Sequence, residues 1–329
     1  LAPSAVIDEQ GRQRIAGDSA RAGGRPTEEG DALVLATSGT TGEPKGVVLT
    51  HDAVSASARA TSTFLGIDPG RHHWLACLPL AHIGGLSVVC RALWAGTGLT
   101  VTDGFDVDAA LASGATHVSL VPTALRRLGE RAMAFERIVL GGSAPPEALP
   151  TNVVCTYGLT ETGSGVVYDG WPLPGVEVRE LDGELQVRGP MLLRGYRDGS
   201  DPKTSDGWLP TGDGGRVDPA TGFVEVYGRR GDLVITGGQN VWPDPVERLV
   251  AAVPGVAEVA VIGRPDPEWG QVLTAVIVPA TDPVAAPPSL EAVRDAVKAE
   301  LPAYCAPRAI ELVDALPRTA LGKVRRALL

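Results

Sequence analysis

The sequence predicts an α/β core followed by a separate α+β domain, on three observations. From Leu33 to about Gly228, apolar runs of strand length alternate with helical runs, as expected of parallel strands joined by crossover helices. After Tyr157 the texture changes to short runs divided by Gly, Asp and Pro, which predicts a small antiparallel β subdomain. Beyond Arg229-Arg230-Gly231-Asp232, a tail of just under a hundred residues carries strands and helices of its own. The division is therefore 1–228, a short interruption at 229–232, and a small domain at 233–329.

Residues 1 to about 30 are polar and Gly-rich, with weak periodicity, and predict a short cap or partly ordered arm. Strands are predicted at Ala32–Ala36, Trp74–Leu78, Leu99–Val101, His117–Leu120, Ile138–Leu140 and Val153–Thr156. Helices are predicted at Asp52–Leu65, Ser87–Ala95, Val107–Ala112 and Pro122–Leu128. The antiparallel subdomain rests on runs such as Glu184–Val187 and Phe223–Val226. In the tail, Leu233–Ile235 precedes a Gly-Gly turn, then a helix at Pro243–Val253, strands at Val256–Gly263 and Val272–Val278, and a helix at Leu290–Leu301. Thr281–Pro288 is a Pro/Ala surface loop.

Composition narrows the function. The 329 residues are 44% apolar, enough for a large core, and two domains suit that length. A net charge of −10 argues against general binding to nucleic acid or acidic membranes. No apolar run is long enough to span a bilayer, and the N-terminus lacks a signal-peptide pattern. Cys77, Cys90, Cys155 and Cys305 lie far apart in apolar or small-residue contexts, which predicts buried free thiols in a reducing, cytoplasmic compartment.

The densest chemical signal is Thr37-Ser38-Gly39-Thr40-Thr41-Gly42-Glu43-Pro44-Lys45-Gly46, after the apolar run Ala32–Ala36, which reads as a buried strand. Glycines let backbone N–H groups approach a ligand, hydroxyls join them in a nest for phosphate oxygens, and Lys45 adds a positive charge. The spacing is not that of the usual P-loop: Gly46 follows Lys45 where a metal-binding hydroxyl belongs. A second signal is Tyr157-Gly158-Leu159-Thr160-Glu161-Thr162, just after a predicted strand. There an aromatic ring can stack on adenine, Thr160 can donate to the α-phosphate, and Glu161 can ligate Mg²⁺ through oxygen.

These two segments resemble the signature motifs of the adenylate-forming superfamily: acyl-CoA synthetases, luciferases and peptide-synthetase adenylation domains. Three further stretches follow in that family's order. Gly141-Gly142-Ser143 matches its glycine-rich turn at the adenine pocket, through Gly142 and Ser143. Thr211-Gly212-Asp213 matches its T-G-D, which implies that Asp213 accepts hydrogen bonds from ribose hydroxyls. Gly228 to Pro243 resembles its linker: Arg229 would bind ribose, Gly231 stands at the usual hinge position, and Gly237-Gly238 would form the turn presented to the thiol substrate. The hinge residue is usually charged or polar, so glycine departs from the pattern while permitting a large φ/ψ change. Pro317 to Arg326 resembles the C-terminal P-x-T-x-x-G-K motif, in which Lys323 would reach the substrate carboxylate and α-phosphate.

The resemblance implies a ligase that uses Mg²⁺, ATP and CoA, forms an acyl-AMP, and then transfers the acyl group to the CoA thiol. It implies that the N-terminal domain is truncated, because family members carry a much longer segment before the phosphate loop; dimerisation would cover the face this leaves. Leu78-Pro79-Leu80-Ala81-His82-Ile83-Gly84-Gly85-Leu86 is similar to the o-succinylbenzoate–CoA ligases of menaquinone synthesis and points to His82 in the acyl site. Arg91 follows in an otherwise apolar stretch. Either it is buried and holds the second carboxylate of that acid, or it snorkels from a helix to the surface. A fatty or aryl acyl-CoA ligase, a carrier-protein-loading adenylation enzyme and a non-catalytic nucleotide-binding remnant are the alternatives.

Overall fold

The computed structural model describes residues 28–37, 45–143, 145–146, 148–280, 287–318 and 324–329, with a backbone pairing of Val6–Ile7 with Gln13–Arg14. Its centre is a seven-stranded sheet in the order Trp171–Pro172, Ser164–Tyr168, Val153–Leu159, Arg137–Leu140, His117–Leu120, His73–Ala76, Gly98–Val101. The five strands from Val153–Leu159 to Gly98–Val101 are parallel, and the other two join antiparallel. Parallel neighbours need crossovers, supplied here by the helices Ile83–Ala95, Val107–Ala112 and Pro122–Leu128. His117–Leu120 is buried throughout, as a central parallel strand must be.

Two predicted elements are corrected. The run Ala32–Ala36 is not a buried strand of this sheet. It lies in Asp31–Thr37, the outer strand of a three-stranded antiparallel sheet with Lys45–Thr50 and Gly195–Tyr196. One side is open, so Leu35 is buried while Val34 is exposed. The helix predicted from Ser87 starts at Ile83. Gly84 and Gly85 argue against helix by propensity, but a Cβ at Gly85 would run into the carbonyls of Leu78 and Pro79. Close packing of the first turn on that backbone selects glycine.

The antiparallel subdomain is a four-stranded sheet, Glu177–Leu181, Glu184–Arg188, Leu209–Val217 and Val224–Arg229. The tail forms a second body. Gln239–Val241, Val234–Thr236, Gly270–Pro279 and Val256–Asp266 make a sheet to which Ala309–Leu312 adds in parallel. The helices Pro243–Ala251 and Leu290–Glu300 bury Val246, Val250, Val293 and Val297 with Val261 and Ile277 in a core separate from those of the N-terminal half. The two halves meet where the Trp242 ring lies on Gly214, leaving no room for a side chain there, with Tyr227 6.2 Å away between ring centres.

No helix among the described residues is long and apolar enough to cross a membrane. All four thiols are free. Cys77 and Cys305 are buried as predicted, whereas Cys90 and Cys155 are only half-buried. Burial pushes the thiols of Cys77 and Cys155 up to about 11, which keeps them protonated and inert.

Candidate active site

Three polar clusters meet along the segment Tyr157 to Ser164, at the carboxyl end of Val153–Leu159, where parallel α/β sheets bind ligands. The strand runs on through Gly158 because its neighbour Ser164–Tyr168 crosses so closely that a Cβ would strike the Ser164 carbonyl. The chain then turns through a short 3-10 helix, Thr160–Thr162. Thr162 stabilises that turn: its hydroxyl accepts from the Leu159 N–H at 2.8 Å and donates to the Ser164 carbonyl at 2.6 Å.

The first cluster gathers Tyr157, Asp213 and Arg229. Asp213 and Arg229 face each other in register across neighbouring antiparallel strands, 3.0 Å apart. The Tyr157 hydroxyl donates to the other oxygen of Asp213 at 2.7 Å, and Arg229 also donates to the Thr211 carbonyl at 2.9 Å. Burial and then the Asp213 charge hold the Tyr157 hydroxyl well above its ordinary value, so it stays a donor. A buried carboxylate between a phenol and a guanidinium suits a vicinal diol, as in ribose.

The second cluster gathers Thr37, Lys45, Tyr196 and Glu161. Thr37 and Lys45 pair across the mouth of a hairpin, with the Thr37 hydroxyl donating to the Lys45 carbonyl at 3.4 Å. Ser38, Gly39, Thr40, Thr41 and Gly42 lie outside the described residues. The Lys45 ammonium sits 4.8 Å from the ring centre of Tyr196, whose hydroxyl donates to Glu161 at 3.1 Å. No cation pairs with Glu161 among the described residues, so one carboxylate oxygen remains for a hard divalent ion such as Mg²⁺. Thr160 is half-buried just before it. Gly142 and Ser143 are exposed after the neighbouring strand Arg137–Leu140, and Gly142, at φ 89°, needs its missing side chain to make the turn.

In the third cluster Arg91 is 2% exposed and does not snorkel. Its Nε donates to the Ser87 carbonyl at 3.1 Å. The remaining donors reach the hydroxyls of Ser87 at 2.9 Å, Ser164 at 3.1 Å and Ser119 at 3.4 Å. The guanidinium stacks 4.9 Å over Trp74. Hydroxyls satisfy its N–H groups but bring no charge, and no carboxylate pairs with it among the described residues. Burial accordingly lowers its pKa. Arg91 shares the wall of a narrow pocket with Leu33, Val54, Ser57, Ser87 and Cys90. As it stands the pocket admits only a water-sized group. His82 precedes the helix that carries Arg91, half-buried and without a capping bond.

The residues expected from the resemblance to face the thiol lie on the other body. Gly237 and Gly238, at φ 54° and 77°, are the two-residue turn of a hairpin that pairs Thr236 with Gln239. Trp269 packs beneath Gly237, and Arg308 stacks 3.8 Å over the Trp269 ring. No motif signalled Trp269, Arg308 or Tyr196; three-dimensional adjacency reveals them. Gly231 is exposed, with an ordinary backbone and open space around it. On one side Arg230 pairs with Glu184 of the antiparallel sheet at 3.2 Å. On the other, Asp232 pairs with Arg326 at 2.8 Å, and Arg326 also holds Asp244 and Glu247 of the helix Pro243–Ala251. Lys323 lies outside the described residues.

Comparison with known proteins identifies the family. Residues 4–197 match the AMP-binding enzyme family and residues 245–323 match the AMP-binding enzyme C-terminal domain. The chain is 39% identical, over 93% of its length and 85% of the relative's, to a Mycobacterium tuberculosis protein named "Probable 2-succinylbenzoate–CoA ligase". It superposes with a TM-score of 0.80 and 33% identity on the o-succinylbenzoate CoA synthetase of Bacillus subtilis in complex with the acyl-adenylate intermediate OSB-AMP, covering 89% of this chain and 68% of that one. The same Bacillus enzyme in complex with ATP and magnesium ion gives a TM-score of 0.78 at 33% identity, over 90% and 69% of the two chains. By sequence, fold and both matched regions, this chain belongs to the AMP-binding enzyme family.

Proposed function

We propose that this chain is an AMP-forming acid–CoA ligase that converts 2-succinylbenzoate to its CoA thioester for menaquinone biosynthesis. In the first step a carboxylate oxygen of the acid attacks the α-phosphorus of ATP, the bond to the bridging oxygen breaks, and pyrophosphate leaves. In the second the CoA thiolate attacks the acyl carbon and AMP departs with the electron pair. AMP is a far better leaving group than the free carboxylate oxygen, which is the reason to form the mixed anhydride.

The protein positions groups and stabilises charge rather than supplying a nucleophile. Asp213, with Arg229 and Tyr157 fixing it, holds the ribose. Thr37 and Lys45 face the phosphates, and Thr160 reaches the α-phosphate. Glu161 would hold the Mg²⁺, which neutralises charge on the polyphosphate. Lys323 and His82 take the roles that the family motifs give them at the reacting carboxylate. Gly237 and Gly238 present the thiol, with Arg308 placing a cation beside that turn.

One observation carries the substrate. Arg91 is a fully buried guanidinium with no anionic partner among the described residues. A buried charge is costly unless paired. An acid with two carboxylates brings the missing partner while leaving the other carboxylate free to react; benzoate or a fatty acid does not. A homodimer and a cytoplasmic location complete the reading. The exposed Leu93, Trp94 and Val101, at and beside the edge strand Gly98–Val101, offer a face for the dimer.

The test is pyrophosphate release with Mg²⁺-ATP across 2-succinylbenzoate, benzoate, a medium-chain fatty acid and malonate, with and without CoA. Selective turnover of 2-succinylbenzoate with CoA is expected. Arg91→Lys should lower kcat/KM for that acid by about tenfold to a hundredfold, the cost of a lost charge-assisted hydrogen bond, with ATP affinity unchanged. Wild-type kinetics in Arg91→Lys, or preference for a monoacid, overturns the assignment.

A further inference from the structure

Tyr196 belongs to none of the recognised motifs, yet it touches two of them. It ends the short strand Gly195–Tyr196, where it pairs with Val47 two residues after Lys45. The chain around it is stitched to both charged groups. The Leu193 N–H donates to the Glu161 carbonyl at 2.8 Å, the Arg194 N–H to the Val48 carbonyl at 2.9 Å, and the Arg197 N–H to the Gly46 carbonyl at 2.7 Å. From that anchored backbone the ring reaches between the two motifs. Its hydroxyl donates to Glu161 at 3.1 Å, and its face carries the Lys45 ammonium at 4.8 Å.

We propose that Tyr196 is a positioning residue for the ATP-activating step, a spacer that keeps Lys45 and Glu161 apart while orienting both. The proposal rests on the ligase reading above. One side chain thus meets an ammonium at its ring face and a carboxylate at its hydroxyl, two groups of opposite charge whose direct pairing would weaken the hold of each on phosphate or Mg²⁺. The phenol prevents this with different chemistry at each end. A hydrogen bond to one carboxylate oxygen fixes the carboxylate plane and turns the other oxygen outward. The ring face attracts the ammonium without neutralising it.

Two variants separate the ends. Tyr196→Phe removes the hydroxyl and keeps the ring; Tyr196→Leu removes both. ATP affinity is read by calorimetry in Mg²⁺ and in EDTA, alongside the Mg²⁺ dependence of acid-dependent ATP–pyrophosphate exchange and the melting temperature. Tyr196→Phe is expected to raise the Mg²⁺ needed for half-maximal exchange about tenfold, with ATP affinity in EDTA unchanged. Tyr196→Leu should add a further loss of ATP affinity of about threefold that persists in EDTA. Wild-type Mg²⁺ dependence in Tyr196→Phe, or losses in both variants that merely follow a lowered melting temperature, overturns the proposal. Absence of exchange in the wild-type protein refutes the ligase reading instead, and the calorimetric difference between Mg²⁺ and EDTA still decides the role of Tyr196.

Discussion

His117 shows how burial far from the site sets the pH response of the fold. It begins a central strand at the end of the sheet opposite Tyr157, 1% exposed, with its ring centre 4.5 Å from that of His72 and 5.1 Å from that of Trp74. His72 accepts the Asp68 N–H at Nδ1, so its proton sits on Nε2, 3.6 Å from Glu136. Burial, and then His72, lowers the pKa of His117 from 6.5 to about 4, with Glu136 opposing and Arg137 and Arg71 adding a little. The unfolded chain takes up this proton near pH 6.5 and the folded chain only near pH 4. The stabilisation is therefore complete above pH 6.5 and is lost as pH falls toward 4, by at most about 3 kcal/mol. Melting temperature measured against pH should decline over that window, and His117→Asn should flatten the decline.

At the scale of elements, Gly158 shows what a motif letter means physically. The Y-G-x-T-E pattern identifies a nucleotide site, but this glycine is there because two antiparallel strands cross too closely for a side chain. Gly158→Ala should cost roughly 1–3 kcal/mol, the price of overpacking, and should weaken ATP binding by displacing Tyr157 and Glu161 together. Thermal melting and ATP titration check both effects. The same distinction explains how much was legible. Periodicity located His117–Leu120, Val107–Ala112 and Pro122–Leu128 to the residue, because each is a short apolar run bounded by turns. Motifs named Tyr157, Asp213 and Arg229, which the fold brings together, and Glu161, which it sets beside Tyr196. The sequence misled at Asp31–Thr37, where a run as apolar as any core strand forms the open side of a small sheet. Burial there depends on partners distant in the chain. Tyr196 escaped notice for the same reason: its two contacts lie at Lys45 and Glu161, and local spacing carries no sign of either.

At the scale of the whole molecule, an aromatic contact marks where the two bodies meet and one short turn joins them. Trp242 occupies the space over Gly214 that a side chain would need. Gly214→Ala should push the C-terminal body away, raising the radius of gyration in X-ray scattering and speeding proteolysis around residues 229–233; unchanged scattering and cleavage would show that the contact yields without undocking. The joint itself is narrower than its four residues suggest. Arg230 is tied to the antiparallel sheet through Glu184, and Asp232 to the C-terminal body through Arg326. Between those anchors only Gly231 has open surroundings. Were the C-terminal body to turn at this joint, as the family resemblance implies, the motion would free the backbone of about one residue, roughly 1–2 kcal/mol of conformational entropy, rather than that of a slack tether. Such a joint would restrict the C-terminal body to an arc and spare it a search through a volume.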